Sequence, residues 1–333
     1  MDERISLDYG SGGKKTSQLI DEIILPLLGG PELSELGDAA VLDGAEKLVF
    51  STDSFVVSPY FFPGGDIGKL SVCGTVNDVS MQGGDARYLS LSFIIEEGLP
   101  MADLRRIAAS IAETAKKAGV RIVTGDTKVV ERGKGDGIYL NTAGIGTLHH
   151  PGLSINNIRP GDKVILSGTA GDHGAAVMLA RNSDMLKGEL LSDCALLKEP
   201  AMALSELGDG LKVMRDPTRG GIANALCEFA EGRPFSIRLD EGSIPVDPAV
   251  ASACDILGLD PLYCANEGKL IAVVSADKAE LAVDILKRFE VSEGAAVIGE
   301  VRDEYPGKVL VRTALGSSRI VAKLTGAQLP RIC

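Results

Sequence analysis

Carboxylates at turn and strand ends recur along this chain: Asp38 after Gly37, Asp53 in Thr52-Asp53-Ser54, Asp78 after Asn77, Asp126 in Gly125-Asp126-Thr127, and Asp216 before Pro217. Singly, an Asp beside Gly or Pro is a turn former or a helix cap, and Asp216-Pro217 reads well as a cap and first helical residue. Asp78 resists that reading. Ile67, Leu70, Gly74, Asn77, Asp78 and Met81 share one helical stripe, and Val72, Val76 and Val79 cover another side, which predicts a helix over 67–81 buried nearly all round. A carboxylate there is a satisfied core acid or a metal ligand, because an unpaired buried charge is costly. Near the start, Gly10-Ser11-Gly12-Gly13 lets successive amides point one way into an anion nest, with Lys14 and Lys15 adding charge. It is not a Walker A loop, since Lys15 stands where that motif needs Ser or Thr. Its other reading is an N-terminal arm. Several carboxylates and an anion nest together describe a Mg2+–polyphosphate site, because Mg2+ prefers few carboxylates, waters and phosphate oxygens. Lys128 is a phosphate-neutralising or ordinary loop cation, and Glu267, in Asn266-Glu267-Gly268, is a candidate base or a structural carboxylate.

The last residue, Cys333, carries a thiol with nothing downstream to pack against. The adjacent α-carboxylate opposes the thiolate and Arg331 partly offsets it, so this is a poor nucleophile in its own right. Such a thiol suits a carrier loaded by another enzyme better than a redox sensor. Cys73 and Cys227 fall inside apolar helical patterns, where Cys acts as a small hydrophobe. His149, His150 and His173 show no ligand spacing and take no role.

These groups must be positioned by a soluble, globular chain of 333 residues, 45% apolar and 24% charged, long enough for two domains each with its own core. Aromatics are 4% with no Trp, so those cores are Val, Ile, Leu and Ala packed. The formal charge of −12 argues against a nucleic-acid or anionic-membrane surface. No apolar run approaches the roughly 20 residues of a membrane span, and the start lacks a signal peptide's regions. A cytoplasmic protein is expected.

Strand patterns at 47–51 and 89–95 flank the 67–81 helix. A long amphipathic helix through Leu104, Ile107, Ile111 and Ala115 stops at Gly119, before strands at 121–124 and 138–147. Two Pro-containing turn signals between His149 and Asp162 mark a boundary. Beyond it, strands at 163–167, 269–275, 296–301 and 309–312 alternate with helices over 173–181, after Pro217 and over 278–289. Two α+β halves follow: an arm over 1–37, a domain over 38–150, a domain over 151–322, and a tail over 323–333. The tail has no periodicity and contains Pro330, which blocks a helix, so it reads as free and mobile.

Together these motifs resemble the hydrogenase maturation factor HypE family, in the superfamily of aminoimidazole ribonucleotide synthetase and selenophosphate synthetase. The resemblance spans essentially the whole chain. It rests on Gly10–Lys14, Leu36-Gly37-Asp38-Ala39-Ala40, Ser51–Ser54, Val76–Val79, Gly125–Lys128, Asp216–Gly221, Asn266–Gly268 and the ending Pro330-Arg331-Ile332-Cys333. It implies a mixed α/β two-domain synthetase fold whose N-terminal domains form a β-barrel across a homodimer, with ATP along its side. It further implies that HypF, a carbamoyltransferase, loads a carbamoyl group onto Cys333. ATP then drives dehydration of the thiocarboxamide to a thiocyanate, and a HypC–HypD complex accepts the cyanide for the iron of [NiFe] hydrogenase. Under the resemblance Asp38, Asp78 and Asp216 hold Mg2+, with Asp53, Asn77 and Asp126 nearby. Gly10, Ser11, Gly12, Gly13 and Lys14 cover the phosphates, and Lys128 and Glu267 lie beside the tail, which must enter the site and leave again. The rivals are another synthetase or kinase of the superfamily, or a non-catalytic nucleotide-binding scaffold. Selenophosphate synthetase carries a reactive Cys or selenocysteine near its glycine loop, and this chain has no Cys before Cys73.

Overall fold

In the computed structural model the described residues are 2–37, 39–182, 190–324, 326 and 331–333. The N-terminal half builds one four-stranded sheet from β1 (Leu48–Phe55), β2 (Gly84–Glu96), β3 (Arg121–Val130) and β4 (Ile138–Leu148), in the order β1-β4-β2-β3. Only the β2–β3 pair is parallel, and the helix between those strands is the crossover such a pair needs. One face of the sheet is covered by α1 (Ile67–Met81) and α2 (Met101–Ala118). All but two residues of α1 are buried, Asp78 and Lys69 being the exceptions, as its double-sided apolar pattern requires. Asp66 caps it by accepting the N–H groups of Gly68 and Lys69. At its other end α2 stops on Gly119 with φ +66, a left-handed turn that Gly adopts without penalty.

The C-terminal half forms a seven-stranded, mostly antiparallel sheet. Its strands are β5 (Lys163–Leu166), β6 (Leu211–Arg215), β7 (Ser236–Asp240), β8 (Ile271–Val274), β9 (Ala296–Arg302), β10 (Val309–Arg312) and β11 (Ser318–Val321), in the order β11-β10-β7-β9-β5-β8-β6. Helices α3 (Asp172–Arg181), α4 (Gly221–Ala230), α5 (Pro248–Leu257) and α6 (Ala279–Leu286) complete it. The central strands β8 and, past Lys163, β5 are buried on both faces and read as Val/Ile/Leu/Ala runs. The two halves share a packed boundary: Met81, from the end of α1, sits in the core under β8 and α6.

Two expectations change here. Asp216-Pro217 does not start a helix. Four irregular residues follow Asp216, and α4 begins at Gly221, behind Gly220 with φ +77. The expected helix cap is therefore a loop acid free to do something else. Nor do the last three residues hang free. Val56 N–H donates to Cys333 O at 3.1 Å and Ser58 N–H to Arg331 O at 3.2 Å, a two-rung antiparallel contact, and Ile332 is 3% exposed.

Candidate active site

The groups singled out in the sequence fall into two clusters. The first surrounds Cys333. Asp53 faces inward from β1 toward α1, and Asp78, from α1, accepts a hydrogen bond from Ser51 Oγ at 2.6 Å. Asp216 comes from the loop after β6, and Glu267 from the loop before β8. Asn266 ties these loops together: its N–H donates to Pro217 O at 3.1 Å and its side-chain amide to the same oxygen at 3.2 Å. Glu267 is 3% exposed and its Oε1 has no hydrogen-bond partner.

The electrostatics follow from this crowding. Burial and the neighbouring Asp78 push the Asp216 carboxyl up to about 7. Burial raises Asp78, helped by Asp53 and opposed by the Ser51 hydroxyl and Arg215. Burial also raises Asp53, against the Ser54 amide and Arg219. Glu267 is driven well above the carboxylate range by burial and by Asp216, Asp193 and Asp53. Cys333 is pushed up by burial first and by Glu267 next, with Arg219 pulling the other way. Among the neighbouring side chains, Glu267 raises the thiol most. A set of acids this crowded has unspent affinity for a cation, and a thiol among them stays protonated. Arg219 was not singled out in the sequence. The available signal was its place inside Asp216–Gly221, as the single cation of that segment.

The second cluster lies at the open edge of the N-terminal sheet. Gly10 packs against β3 so closely that a Cβ there would meet Val129 N at 2.5 Å. Beyond Gly10, Ser11, Gly12, Gly13 and Lys14 are exposed, and Lys15 is engaged by Asp2 at 2.7 Å. Thr16, Gly125, Asp126 and Thr127 line one rim of a cavity of about 160 Å³ whose floor is Ile20, Leu91 and Phe93. Lys128 Nζ pairs with Asp126 at 2.9 Å, and that hydrogen bond holds the Asp126 carboxyl below its usual range.

Two expected placements are not met within the single chain. Lys128 is not beside the Cys333 of its own chain. It lies on β3, whereas Asp53 lies on β1, and three strand spacings of about 4.8 Å separate those edges. Asp126 and Lys128 also pair with Ser92 and Ile94, on the face away from α1. Asn77 does not face the cleft either. Its amide donates to Ala195 O at 3.0 Å and its carbonyl accepts from Leu197 N–H at 2.8 Å, so it fastens α1 to the C-terminal half. Asp38 lies outside the described residues. Among the described residues no group of three or more carboxylates, imidazoles or thiols converges tightly enough to hold a metal alone. No helix among them is long and apolar enough to cross a membrane.

The fold and the two clusters define a class. Residues 36–148 match the family model described as AIR synthase related protein, N-terminal domain, and residues 159–312 match the corresponding C-terminal domain. Within that class the chain is 46% identical to carbamoyl dehydratase HypE of Cupriavidus necator, over 99% of this chain and 95% of that protein. A crystal structure of hydrogenase maturation protein HypE in complex with ATP superposes with a TM-score of 0.94 at 46% identity, covering 98% of this chain and 99% of that one. A chain of a crystal structure of a HypE–HypF complex matches at 48% identity and TM-score 0.80, over 92% of this chain and 99% of that one. The chain belongs to the HypE family of hydrogenase maturation proteins.

Proposed function

We propose that this protein is an ATP-dependent carbamoyl dehydratase that works on its own C-terminus, converting an S-carbamoyl group on Cys333 to a thiocyanate. The observation that carries this reading is the docked tail: Cys333 O and Arg331 O accept from the Val56 and Ser58 amides just past β1, which leaves the thiol within electrostatic reach of Glu267, Asp53 and Asp216. An amide does not lose water unaided, because hydroxide is a poor leaving group. Transfer of the γ-phosphoryl group to the amide oxygen makes that oxygen part of a phosphate leaving group. The C–O bond then breaks as the nitrogen gives up its two protons, leaving S–C≡N, ADP and phosphate. Glu267 is assigned the first nitrogen proton: its buried Oε1 has no hydrogen-bond partner, and in its ionised form a carboxylate whose pKa is raised by burial is a strong base. Arg219 balances charge at the thiol, and the docked tail holds the reacting atoms at a fixed separation.

The likeness to an ATP complex and the crowded acids support nucleotide binding here. Asp78 and Asp216 fit a Mg2+ ion that completes its shell with phosphate oxygens and water, with Asp38 as a third ligand; bound there, the ion would neutralise phosphate charge. Gly10–Gly13 and Lys14 are assigned to the phosphates. Asp53 stands beside the metal ligands. Asp126 and Lys128 sit on the sheet's open edge, and we assign them to the polyphosphate end of a nucleotide held across a homodimer. HypF is the expected source of the carbamoyl group, in line with the HypE–HypF complex, and a HypC–HypD complex is the expected acceptor of cyanide.

Intact-protein mass spectrometry tests the reading. With HypF, carbamoyl phosphate and ATP, the chain should gain the mass of one carbamoyl group and then lose one water, both at Cys333. Asp78→Asn should stop at the carbamoyl stage with its fold intact. An unmodified Cys333 after complete loading conditions would sink the proposal, and nitrile formation by Asp78→Asn would sink the metal assignment.

A further inference from the structure

The first turn of α3, Gly171–Gly174, stands between the docked tail and the loop that carries Glu267. On the loop side, Gly171 N–H donates to Asn266 Oδ1 at 2.7 Å and Gly174 N–H donates to Ala265 O at 2.9 Å. Asp172 pairs with Lys269 at 3.3 Å, and Lys269 pairs with Asp193 at 3.3 Å. Asp193 accepts the N–H groups of Glu267 at 3.1 Å and Gly268 at 3.2 Å. The backbone of Glu267 is thereby fixed to this turn by two routes. On the tail side, His173 is fully buried, with Nε2 2.7 Å from Ile332 O and Nδ1 2.8 Å from Ser192 Oγ. A carbonyl oxygen only accepts, so Nε2 carries the proton and Nδ1 accepts from the Ser192 hydroxyl. Phe62 packs edge-on against the ring at 5.3 Å.

We infer that His173 is a positioning residue that gauges the Cys333 thiol against Glu267, by holding the Ile332 carbonyl to the same helical turn that holds the Glu267 loop. This rests on the reading of Cys333 as the substrate carrier. The peptide bond after Ile332 is planar, so fixing its oxygen fixes the Cα of Cys333 one unit away. Arg181 supports the contact by donating to Arg331 O and Ser58 O. The His173 contact with Ile332 O and the Arg181 contact with Arg331 O both reach the tail's main chain, so these two contacts hold its backbone. Burial keeps the imidazole's pKa below the ordinary histidine range, which preserves the neutral Nε2–H tautomer at neutral pH.

The test follows release of the tail directly: the rate at which iodoacetamide alkylates Cys333 in the full-length protein, with peptide mass spectrometry to assign the site. Losing one buried donor to a carbonyl should speed that reaction about tenfold in His173→Leu. His173→Gln, whose amide N–H can reach the same oxygen, should stay near the wild-type rate. Ser192→Ala, which frees the ring tautomer, should fall between them. In the dehydration assay His173→Leu should lose kcat while its KM for ATP is kept. A folded His173→Leu protein that alkylates at the wild-type rate overturns the inference, as does a Gln variant that behaves like Leu. Should His173→Leu not fold, an unchanged rate in Ser192→Ala decides against it. Alkylation needs neither HypF, carbamoyl phosphate nor ATP, so its outcome is separate from that of the dehydratase reading.

Discussion

Asp216 shows what a crowded acid does to its host. Its folded pKa of about 7 lies above the ordinary carboxylate value, chiefly through burial and then Asp78. Between those two values the folded state binds more protons than the unfolded one, so its contribution to stability is greatest at low pH and is lost as pH rises through about 7. Asp216→Asn, measured without nucleotide or divalent ions, should therefore be more stable than the parent at pH 8, by about 1–2 kcal/mol. The gap should close below pH 4. A denaturant titration at both pH values checks this, and equal stabilities at pH 8 would count against it. Its neighbour Glu267 was visible in the sequence only as an acid in an Asn-Glu-Gly turn. What makes it a candidate site residue is three-dimensional: an unpaired buried oxygen on a group that acts electrostatically on a thiol 66 positions away in the chain.

Among the elements, α1 does two jobs: it presents Asp78 to the cleft and joins the two halves through Asn77. Asn77→Ala removes two hydrogen bonds, leaving the part-buried Ala195 carbonyl and the buried Leu197 amide without these partners. It should cost about 2–4 kcal/mol of unfolding free energy, read from a urea melt. A loss under about 0.5 kcal/mol would mean that α1 is held by packing alone. This helix was legible in the sequence because apolar residues cover it on both sides, and α2 because its stripe ends on a glycine. β6, β7, β11 and α5 were not legible. Five-residue strands such as Leu211–Arg215 and Ser236–Asp240 carry a charge at every second or third place and sit between loops that obscure their alternation. The α4 start was misread because Asp-Pro is a strong cap signal, yet the chain spends Thr218–Gly220 on a tight turn that keeps Asp216 in the site. His173 gave no signal, since its partners lie 19 and 159 residues away.

At the scale of the molecule, the N-terminal sheet is unfinished. Its face away from α1 presents Phe50, 65% exposed, and Leu48, 54% exposed, with Ile145 beside Phe50 and Ile94 further along. Its edge strands β1 and β3 have no outer neighbours among the described residues. Apolar surface and open edges of this kind call for a second sheet. Under the homodimer expectation, Phe50→Asp should raise the dimer dissociation constant at least about a hundredfold, since it buries a charge on each side. Sedimentation velocity would show the shift, and an unchanged assembly would place the dimer contact elsewhere. The same closure would bring the β3 cluster of Asp126 and Lys128 into a shared site, which the single chain leaves apart from Cys333.

The two rungs that hold Arg331 and Cys333 against Ser58 and Val56 amount to a ruler. A strand-like contact advances about 3.4 Å per residue and turns each side chain to the opposite face of its neighbour. One residue inserted between Arg331 and Ile332 would leave every chemical group present and still point the thiol away from Glu267. The docking seat therefore counts residues. Under the proposed function, sequence change is tolerable where the count is kept, and a single misplaced insertion should be as damaging as loss of the cysteine itself.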